Sequence, residues 1–212
     1  MSQIALPLTL PDGADAIVGG SSLHAVFAAL QSSAAWPYRT AVLSGPPRSG
    51  KSLMARWFAG SGAGDAVDDA DTLDETDLFH RWNRAQAQDR ALLLVARDPV
   101  MAGGANAGWQ ITLPDLASRL GAALPLVIGP PDDALLRALM AEHARRRGLA
   151  VPDAVLDWLT PRIERSHAAA EALVAALDRL SLERKAPVTA GLARDALADP
   201  VYGHGHWQPR LL

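Results

Sequence analysis

The feature that most constrains the fold of this chain is a glycine-rich segment between an apolar run and a helix-forming stretch. It reads Gly45, Pro46, Pro47, Arg48, Ser49, Gly50, Lys51, Ser52. The apolar run Thr40–Ser44 precedes it, and a helical pattern follows as far as Phe58. Such a loop presents backbone N–H groups to phosphates at a helix N-terminus, while Lys51 reaches the outer phosphates and the Ser52 hydroxyl binds magnesium. The pattern predicts a P-loop that binds ADP or ATP with Mg²⁺.

Apolar runs and helical patterns alternate through the first 131 residues. The predicted strands are Thr40–Ser44, Asp65–Val67, Ala91–Val95 and Leu124–Ile128. Strands that alternate with helices are typical of an α/β fold with a parallel sheet and helices on both faces.

The pattern becomes wholly helical after Asp132. The predicted helices are Asp133–Arg147, Pro152–Ile163, His167–Leu182 and Thr189–Leu197. Glycines and prolines supply the breaks between them. We therefore expect an N-terminal arm (1–12), a nucleotide-binding core (13–131), a small α-helical domain (132–198) and a tail (199–212).

Composition narrows the class of protein. A net charge of −3 over 212 residues gives no global basic field that would attract nucleic acid or anionic lipid. The absence of cysteine excludes disulfides and thiolate metal sites. No apolar run approaches the roughly 20 residues that span a bilayer, and no signal-peptide pattern opens the sequence. We expect a soluble, cytoplasmic protein.

Acidic residues follow two of the predicted strands. Asp68 and Asp69 come directly after a short strand, where P-loop ATPases place the magnesium carboxylate and a neighbour that orients water. The alternative is an acidic loop, because several carboxylates crowd this region. Asp98 follows the strand Ala91–Val95, at an edge where a polar side chain can reach the nucleotide. A solvent-facing Arg97 paired with Asp98 is an equal alternative.

Two further segments do not indicate a function by their own residues alone. By itself Arg119, in Leu113–Leu120, would be an ordinary exposed arginine. The N-terminal arm has the composition of a docking peptide, a glutamine followed by spaced apolar anchors, or else it is a plain terminal tail. Its candidate partner-binding residues are Gln3, Ile4, Leu6, Pro7 and Leu8.

Together these motifs resemble the AAA+ ATPases of the DnaA branch, and within it the Hda-like regulators of the replication initiator DnaA. The most specific pieces are Gln3–Leu8, which looks like a sliding-clamp-binding peptide, and Leu113–Leu120, which matches the arginine-finger segment of the family. Trp36-Pro37 before the first strand also fits.

The resemblance implies roles for several residues. Ile17 and Val18 would contact the adenine, Asp68 and Asp69 would form the Walker B site, and Asp98 would lie in the sensor-1 region. Arg119 would be an arginine finger that acts in trans on a partner's nucleotide. The helical domain would be the AAA+ lid. No helix-turn-helix domain follows it in this sequence, so we expect no sequence-specific DNA binding by this chain.

The sequence departs from the family pattern at two places. Too few residues separate Ser52 from Asp68 for the usual strand and helix, so we expect a four-stranded core that has lost its edge strand. No arginine stands at the sensor-2 position, within His167–Ala172, and Arg165 is the nearest substitute. We therefore expect weak or no ATPase activity from the chain alone.

The function implied by the resemblance is inactivation of DnaA: the arm binds the DNA polymerase sliding clamp, and Arg119 promotes hydrolysis of DnaA-bound ATP. The alternatives are an autonomous P-loop ATPase and a non-enzymatic DnaA-like scaffold adaptor. Homo-oligomerisation is also open.

Overall fold

The structure is a computed structural model that describes residues 21–100 and 108–199. Those residues fall into two compact units that divide between Gly129 and Pro130. None of the helices within these ranges has the length and apolar character that crossing a membrane requires.

The first unit is built on a parallel sheet that has four strands within the described ranges. They are β1 (Thr40–Ser44), β2 (Gly64–Val67), β3 (Ala91–Val95) and β4 (Leu124–Val127). The order β2-β3-β1-β4 places the strand before the glycine-rich loop between β3 and β4. β1 and β3 are buried at every position, which explains their continuous apolar runs. The predicted four-stranded core is confirmed, and the observed bounds differ from the predicted ones by at most one residue.

Two helices cover one face of this sheet, α3 (Glu75–Ala87) and α4 (Pro114–Gly121). Asp74 caps α3 by accepting from the N–H groups of Asp77 and Thr76, and these bonds hold the pKa of the Asp74 carboxyl below its ordinary value. Apolar side chains of both helices form one buried cluster with strand residues. Its members include Leu78, Trp82, Leu116, Leu120, Val42, Leu92 and Leu94.

Two more α-helices lie in the part of the first unit that the structure describes, α1 (Ser21–Gln31) and α2 (Lys51–Gly60). α1 contacts β4, and α2 contacts β2 and β3. The Trp36 indole stacks on Phe58 with ring centroids 5.3 Å apart, and its Nε1–H donates to the Ala29 carbonyl at 2.9 Å. The segment before β1 is thereby tied to both helices, which fixes the strand that enters the glycine-rich loop.

The second unit is helical throughout its described part, as predicted. It contains α5 (Asp133–Arg146), α6 (Asp153–Leu159), α7 (His167–Arg184) and α8 (Ala190–Leu197). The side chains of Asp132, Ser166 and Thr189 cap α5, α7 and α8 by accepting backbone N–H bonds. α6 ends four residues before the predicted Ile163 because Pro161 lacks an N–H group, and a short 3₁₀ turn follows.

Candidate functional site

The backbone of the loop between β1 and α2 leaves no room for a larger residue at its first glycine. A Cβ atom at Gly45 would lie 2.9 Å from both the Cβ and the carbonyl oxygen of Ile128. Gly50, with φ of +89°, and Arg48, with φ of 62°, both adopt left-handed conformations. The turn leads directly into α2, whose first N–H groups have no intrahelical acceptor and therefore form a donor site for an anion.

The Lys51 ammonium group lies back over this loop. Its Nζ donates to the carbonyl oxygen of Gly45 at 2.7 Å and to that of Pro46 at 2.9 Å. Burial lowers the pKa of Lys51, and the negative charges of Asp68 and Asp69 partly oppose that shift. The ammonium group therefore carries a positive charge that neutral carbonyl oxygens hold in place without cancelling it.

A cavity of about 400 Å³ opens where β1, β3 and β4 end. Val127, which is 54% exposed, contributes an apolar wall. The position agrees with the rule that ligands of parallel sheets bind at the carboxyl ends of the strands. The structure brings four of the predicted site residues to this cavity. They are Gly45, Pro46, Pro47 and Asp98.

Asp71 is a residue of this site that the sequence analysis did not single out. Its Oδ2 accepts from the backbone N–H of Arg97 at 3.1 Å, so it links the turn after β2 to the end of β3. Its Oδ1 is buried without a hydrogen-bond partner in the described part of the chain, and so is the Ser49 hydroxyl in the glycine-rich loop. Orphaned buried polar atoms are uncommon, and here both belong to segments that border the predicted nucleotide site.

Asp68 and Asp69 are exposed and follow β2, which is separated from β1 by β3. An Asp68 carboxylate oxygen accepts from the Asp69 N–H at 3.1 Å, and Asp69 has a φ of 47°. Mg²⁺ prefers oxygen ligands and combines one or two carboxylates with phosphate and water oxygens. The Asp68 carboxylate and the Ser52 hydroxyl are ligands of that kind, so the residues fit a magnesium ion bound together with a nucleotide.

Arg119, on α4, packs against α3 of the same unit. Its guanidinium carbon lies 4.3 Å from the ring centroid of Trp82 and 4.5 Å from that of Phe79. Its Nη1 donates to the Asn83 side-chain oxygen at 2.6 Å. The sequence analysis did not identify these three contact residues, which lie on one face of α3 because they are spaced by three and four positions.

A second contact fixes the start of α4. The Glu75 carboxylate accepts from the N–H of Leu113 at 2.7 Å, and from both the N–H and the hydroxyl of Thr112. These bonds, chiefly the one from the Thr112 N–H, lower the pKa of the Glu75 carboxyl. Glu75 therefore anchors the two residues that lead into α4, whose own N-cap residue, Leu113, makes no side-chain cap bond.

In the second unit, the nearest substitute for a sensor-2 arginine is engaged elsewhere. Arg165, two residues before α7, forms an ion pair with Asp133, the first residue of α5. Its Nη2 lies 2.8 Å from Asp133 Oδ1. His167, the first residue of α7, is 3% exposed.

The remaining predicted site residues lie outside the described part of the chain. These are the arm residues Gln3, Ile4, Leu6, Pro7 and Leu8, and the adenine contacts Ile17 and Val18. Their roles stay predictions.

The fold is similar to that of known AAA+ proteins. Domain III of the replication initiation protein DnaA from Thermotoga maritima matches with a TM-score of 0.68 at 14% identity, over 93% of this chain and 99% of that chain. The RuvB branch migration motor of Thermotoga maritima matches at 0.59 and 15%, over 84% and 69% of the two chains. A DnaA bound to AMPPCP and single-stranded DNA matches at 0.56 and 15%, over 80% and 66%.

Sequence comparison identifies the second unit more closely. No curated protein matches the chain by sequence. Residues 132–197, however, match the family model of the Hda lid domain. This match and the DnaA-type fold agree with each other. The second unit is therefore similar to the lid domain of Hda, and the chain as a whole has a fold similar to that of DnaA domain III.

Proposed function

We propose that this chain regulates chromosomal replication initiation by binding the DNA polymerase sliding clamp and promoting hydrolysis of DnaA-bound ATP. The lid match and the DnaA-type fold support DnaA as the partner. The resemblance of Gln3–Leu8 to a clamp-binding peptide supports the clamp. Hydrolysis of its ATP leaves DnaA inactive, so initiation stops once DNA-loaded clamps have formed.

The observation that carries this proposal is the setting of Arg119. Two aromatic rings and the neutral Asn83 amide hold its guanidinium group. No carboxylate pairs with it among the residues that the structure describes. Such contacts orient the cation without neutralising it, so its charge remains available to a phosphate of a partner. A trans-acting arginine finger requires that combination of fixed geometry and free charge.

The chain's own nucleotide, ADP or ATP with Mg²⁺, has a structural role in this proposal. Lys51 holds its outer phosphates, and Ser52 and Asp68 hold the magnesium ion. Bound nucleotide supplies the negative charge that the loop and Lys51 are built to receive. We infer weak intrinsic hydrolysis because no arginine stands at the sensor-2 position, within His167–Ala172.

Replacement of the finger tests the proposal. Arg119→Ala should reduce the rate of DnaA-ATP hydrolysis in the presence of DNA-loaded clamp by about 10³- to 10⁵-fold, since a finger contributes that much in related systems. Nucleotide and clamp binding should persist. Arg90→Ala, which removes an exposed arginine paired with Asp65, is the control and should behave like wild type. Full stimulation by the Arg119 variant would refute the proposal.

Two other outcomes would favour the alternatives. Rapid ATP turnover by the chain alone would make it an autonomous ATPase. Clamp or DnaA binding with an unchanged lifetime of DnaA-ATP would make it a scaffold adaptor.

Asn83→Asp separates free charge from simple packing. The new carboxylate would form an ion pair with Arg119 and so hold α4 at least as firmly as the amide does. Stability should therefore be kept, while stimulation of DnaA-ATP hydrolysis should fall at least tenfold because the charge is neutralised. A stable variant with wild-type stimulation would show that the reaction does not need an Arg119 charge that is free of a carboxylate partner.

A further inference from the structure

Most arginines of the second unit form ion pairs with carboxylates. The pairs are Arg137 with Asp153 and Asp157, Arg145 and Arg146 with Glu142, Arg165 with Asp133, Arg179 with Glu183 and Asp199, and Arg184 with Asp195. Arg162 and Arg194 are exposed, and neither has a carboxylate partner in the part of the chain that the structure describes. These two arginines therefore carry positive charge that the described chain does not balance.

The two unpaired arginines meet at one tryptophan. Trp158, on α6, is partly buried and packs against the apolar core of the second unit. The guanidinium carbon of Arg162 lies 4.4 Å from the centroid of the indole ring, and that of Arg194, on α8, lies 5.7 Å from it. Both distances allow cation–π attraction, so one ring holds two positive groups within about 10 Å of each other. We call these three residues the Trp–Arg patch.

The patch keeps hydrogen-bond donors available. Arg162 Nη1 donates to the Trp158 carbonyl oxygen at 2.6 Å, which uses one of the five N–H groups that a guanidinium carries. The carboxylates next to the patch in sequence have partners elsewhere, because Asp157 pairs with Arg137 and Asp195 pairs with Arg184. The ring thus orients two guanidinium groups while their charge and most of their donors stay free.

We propose that the Trp–Arg patch is a docking site for an acidic segment of another protein, whose carboxylates pair with both guanidinium groups. Two like charges held close together raise the free energy of the protein, and a carboxylate bound between them lowers it. Guanidinium groups bind carboxylates through paired N–H donors, which gives orientation as well as attraction. Tryptophan and arginine are also the residues enriched at the centres of protein–protein interfaces. This site goes beyond the function proposed above and does not depend on it.

A nucleic-acid backbone matches the patch less well than an acidic protein segment does. Nucleic-acid affinity comes from many phosphate contacts, roughly six to ten in tightly bound complexes. The patch supplies two cations, and the net charge of the chain is −3, so the chain as a whole does not attract a long polyanion. A segment with a few carboxylates requires no more than these two cations.

Binding of an acidic peptide to the full chain tests the proposal. The probe is fluorescein-labelled decaglutamate, and its dissociation constant is measured by fluorescence anisotropy at low salt. The double variant Arg162→Gln/Arg194→Gln should bind about 5- to 10-fold more weakly, because two exposed charge pairs are lost. The control Arg147→Gln/Lys185→Gln removes the same charge from two exposed cations of the same unit and should bind as wild type does. Wild-type affinity of the first double variant, or an equal loss in the control, would overturn the proposal.

Trp158→Leu separates the organised patch from charge alone. It keeps both arginines and an apolar contact with the core, but it removes the ring that orients the guanidinium groups. Peptide binding should weaken by about threefold, with circular dichroism showing that the variant is folded. A folded variant with wild-type affinity would show that the indole does not organise the site, and would overturn the assignment.

The same variants decide between the proposed occupant and two others. A labelled thymidine oligonucleotide of equal charge is the nucleic-acid probe, and analytical ultracentrifugation measures self-association. An oligonucleotide that binds more tightly than the peptide, and loses that affinity in Arg162→Gln/Arg194→Gln, would assign the patch to nucleic acid. A self-associated wild type that this double variant dissociates would assign it to a second copy of the chain. Either result would overturn the proposal.

Discussion

The two ends of the four-stranded sheet differ in whether their charged side chains have partners of opposite charge. At the amino end, where the strands begin, arginines are matched with carboxylates. Arg90 pairs with Asp65 at 2.8 Å, and Arg39 pairs with Asp89 at the same distance. These pairs are exposed, so each contributes less than about 1 kcal/mol to stability.

At the carboxyl end, charged and polar groups lack such matches. Lys51 bonds only to carbonyl oxygens within the described chain, and Arg97 has no carboxylate there. A hydroxyl of Ser49 and one oxygen of Asp71 are buried without a partner in those same ranges. Each orphaned polar group costs about 1–3 kcal/mol, more than an exposed ion pair returns.

The difference indicates where this unit binds an anionic ligand. The exposed arginines at the amino end are matched by carboxylates of the chain itself. The carboxyl end carries a cost in stability that a bound anion and its metal ion would remove. An arrangement of this kind is expected where structure is maintained for a ligand rather than for the fold.

Among variants that test the difference between the two ends of the sheet, Lys51→Ala should have the largest effect on nucleotide affinity. Removal of a charged donor that makes more than one bond to phosphate should weaken ADP and ATP binding by about 100-fold or more. Calorimetric titration of the purified chain measures it. Unchanged affinity would mean that the carboxyl end does not receive phosphate.

Glycines at the two ends offer a second comparison. A Cβ atom at Gly64, at the amino end, would lie 2.3 Å from the Ala91 carbonyl oxygen. Gly64→Ala should therefore lower the free energy of unfolding by about 1–3 kcal/mol and leave the nucleotide affinity of the folded protein unchanged. Gly45→Ala should lower both, because its Cβ would displace the P-loop.

Gly121→Ala is the control for both glycine variants, since open space surrounds that position. Denaturant unfolding and calorimetry give the two quantities. Equal effects of the Gly64 and Gly45 variants on nucleotide affinity would contradict the claim that nucleotide binds at the carboxyl end.

A smaller effect is expected from Asp68→Asn, which removes the proposed magnesium carboxylate. Wild type should bind nucleotide more tightly with Mg²⁺ than with EDTA. The variant should lose most of that difference, about tenfold in affinity. A variant that keeps the full dependence on Mg²⁺ would place the metal ligand elsewhere.

The smallest effect is expected from Arg90→Ala. Breaking the exposed pair with Asp65 should cost less than about 1 kcal/mol of stability and should not alter nucleotide affinity. A clear loss of affinity, measured beside the Lys51 variant, would show that the amino end takes part in binding.

Local patterns made much of this fold predictable. β1 and β3 are fully buried and read as unbroken apolar runs, and the P-loop has a fixed spacing that links a strand to a helix. The helices of the second unit were predictable because each combines a periodic pattern with a capping residue or a proline break.

Residues that act through tertiary contacts were not predictable in the same way. Asp71 matters because β2 and β3 end side by side, which brings its carboxylate to Arg97. The sequence shows it only as one of several carboxylates in an acidic stretch. The setting of Arg119 likewise depends on how α3 and α4 pack, and nothing near it in the sequence indicates Phe79 or Asn83.

The central claim is that the hydrolysed ATP belongs to DnaA and not to this chain. The most direct measurement starts with radiolabelled ATP bound either to DnaA or to this chain, and then adds the other protein and DNA-loaded clamp. We predict rapid conversion to ADP only when the label starts on DnaA, and no acceleration with Arg119→Ala. Conversion only of the label that starts on this chain would contradict the account.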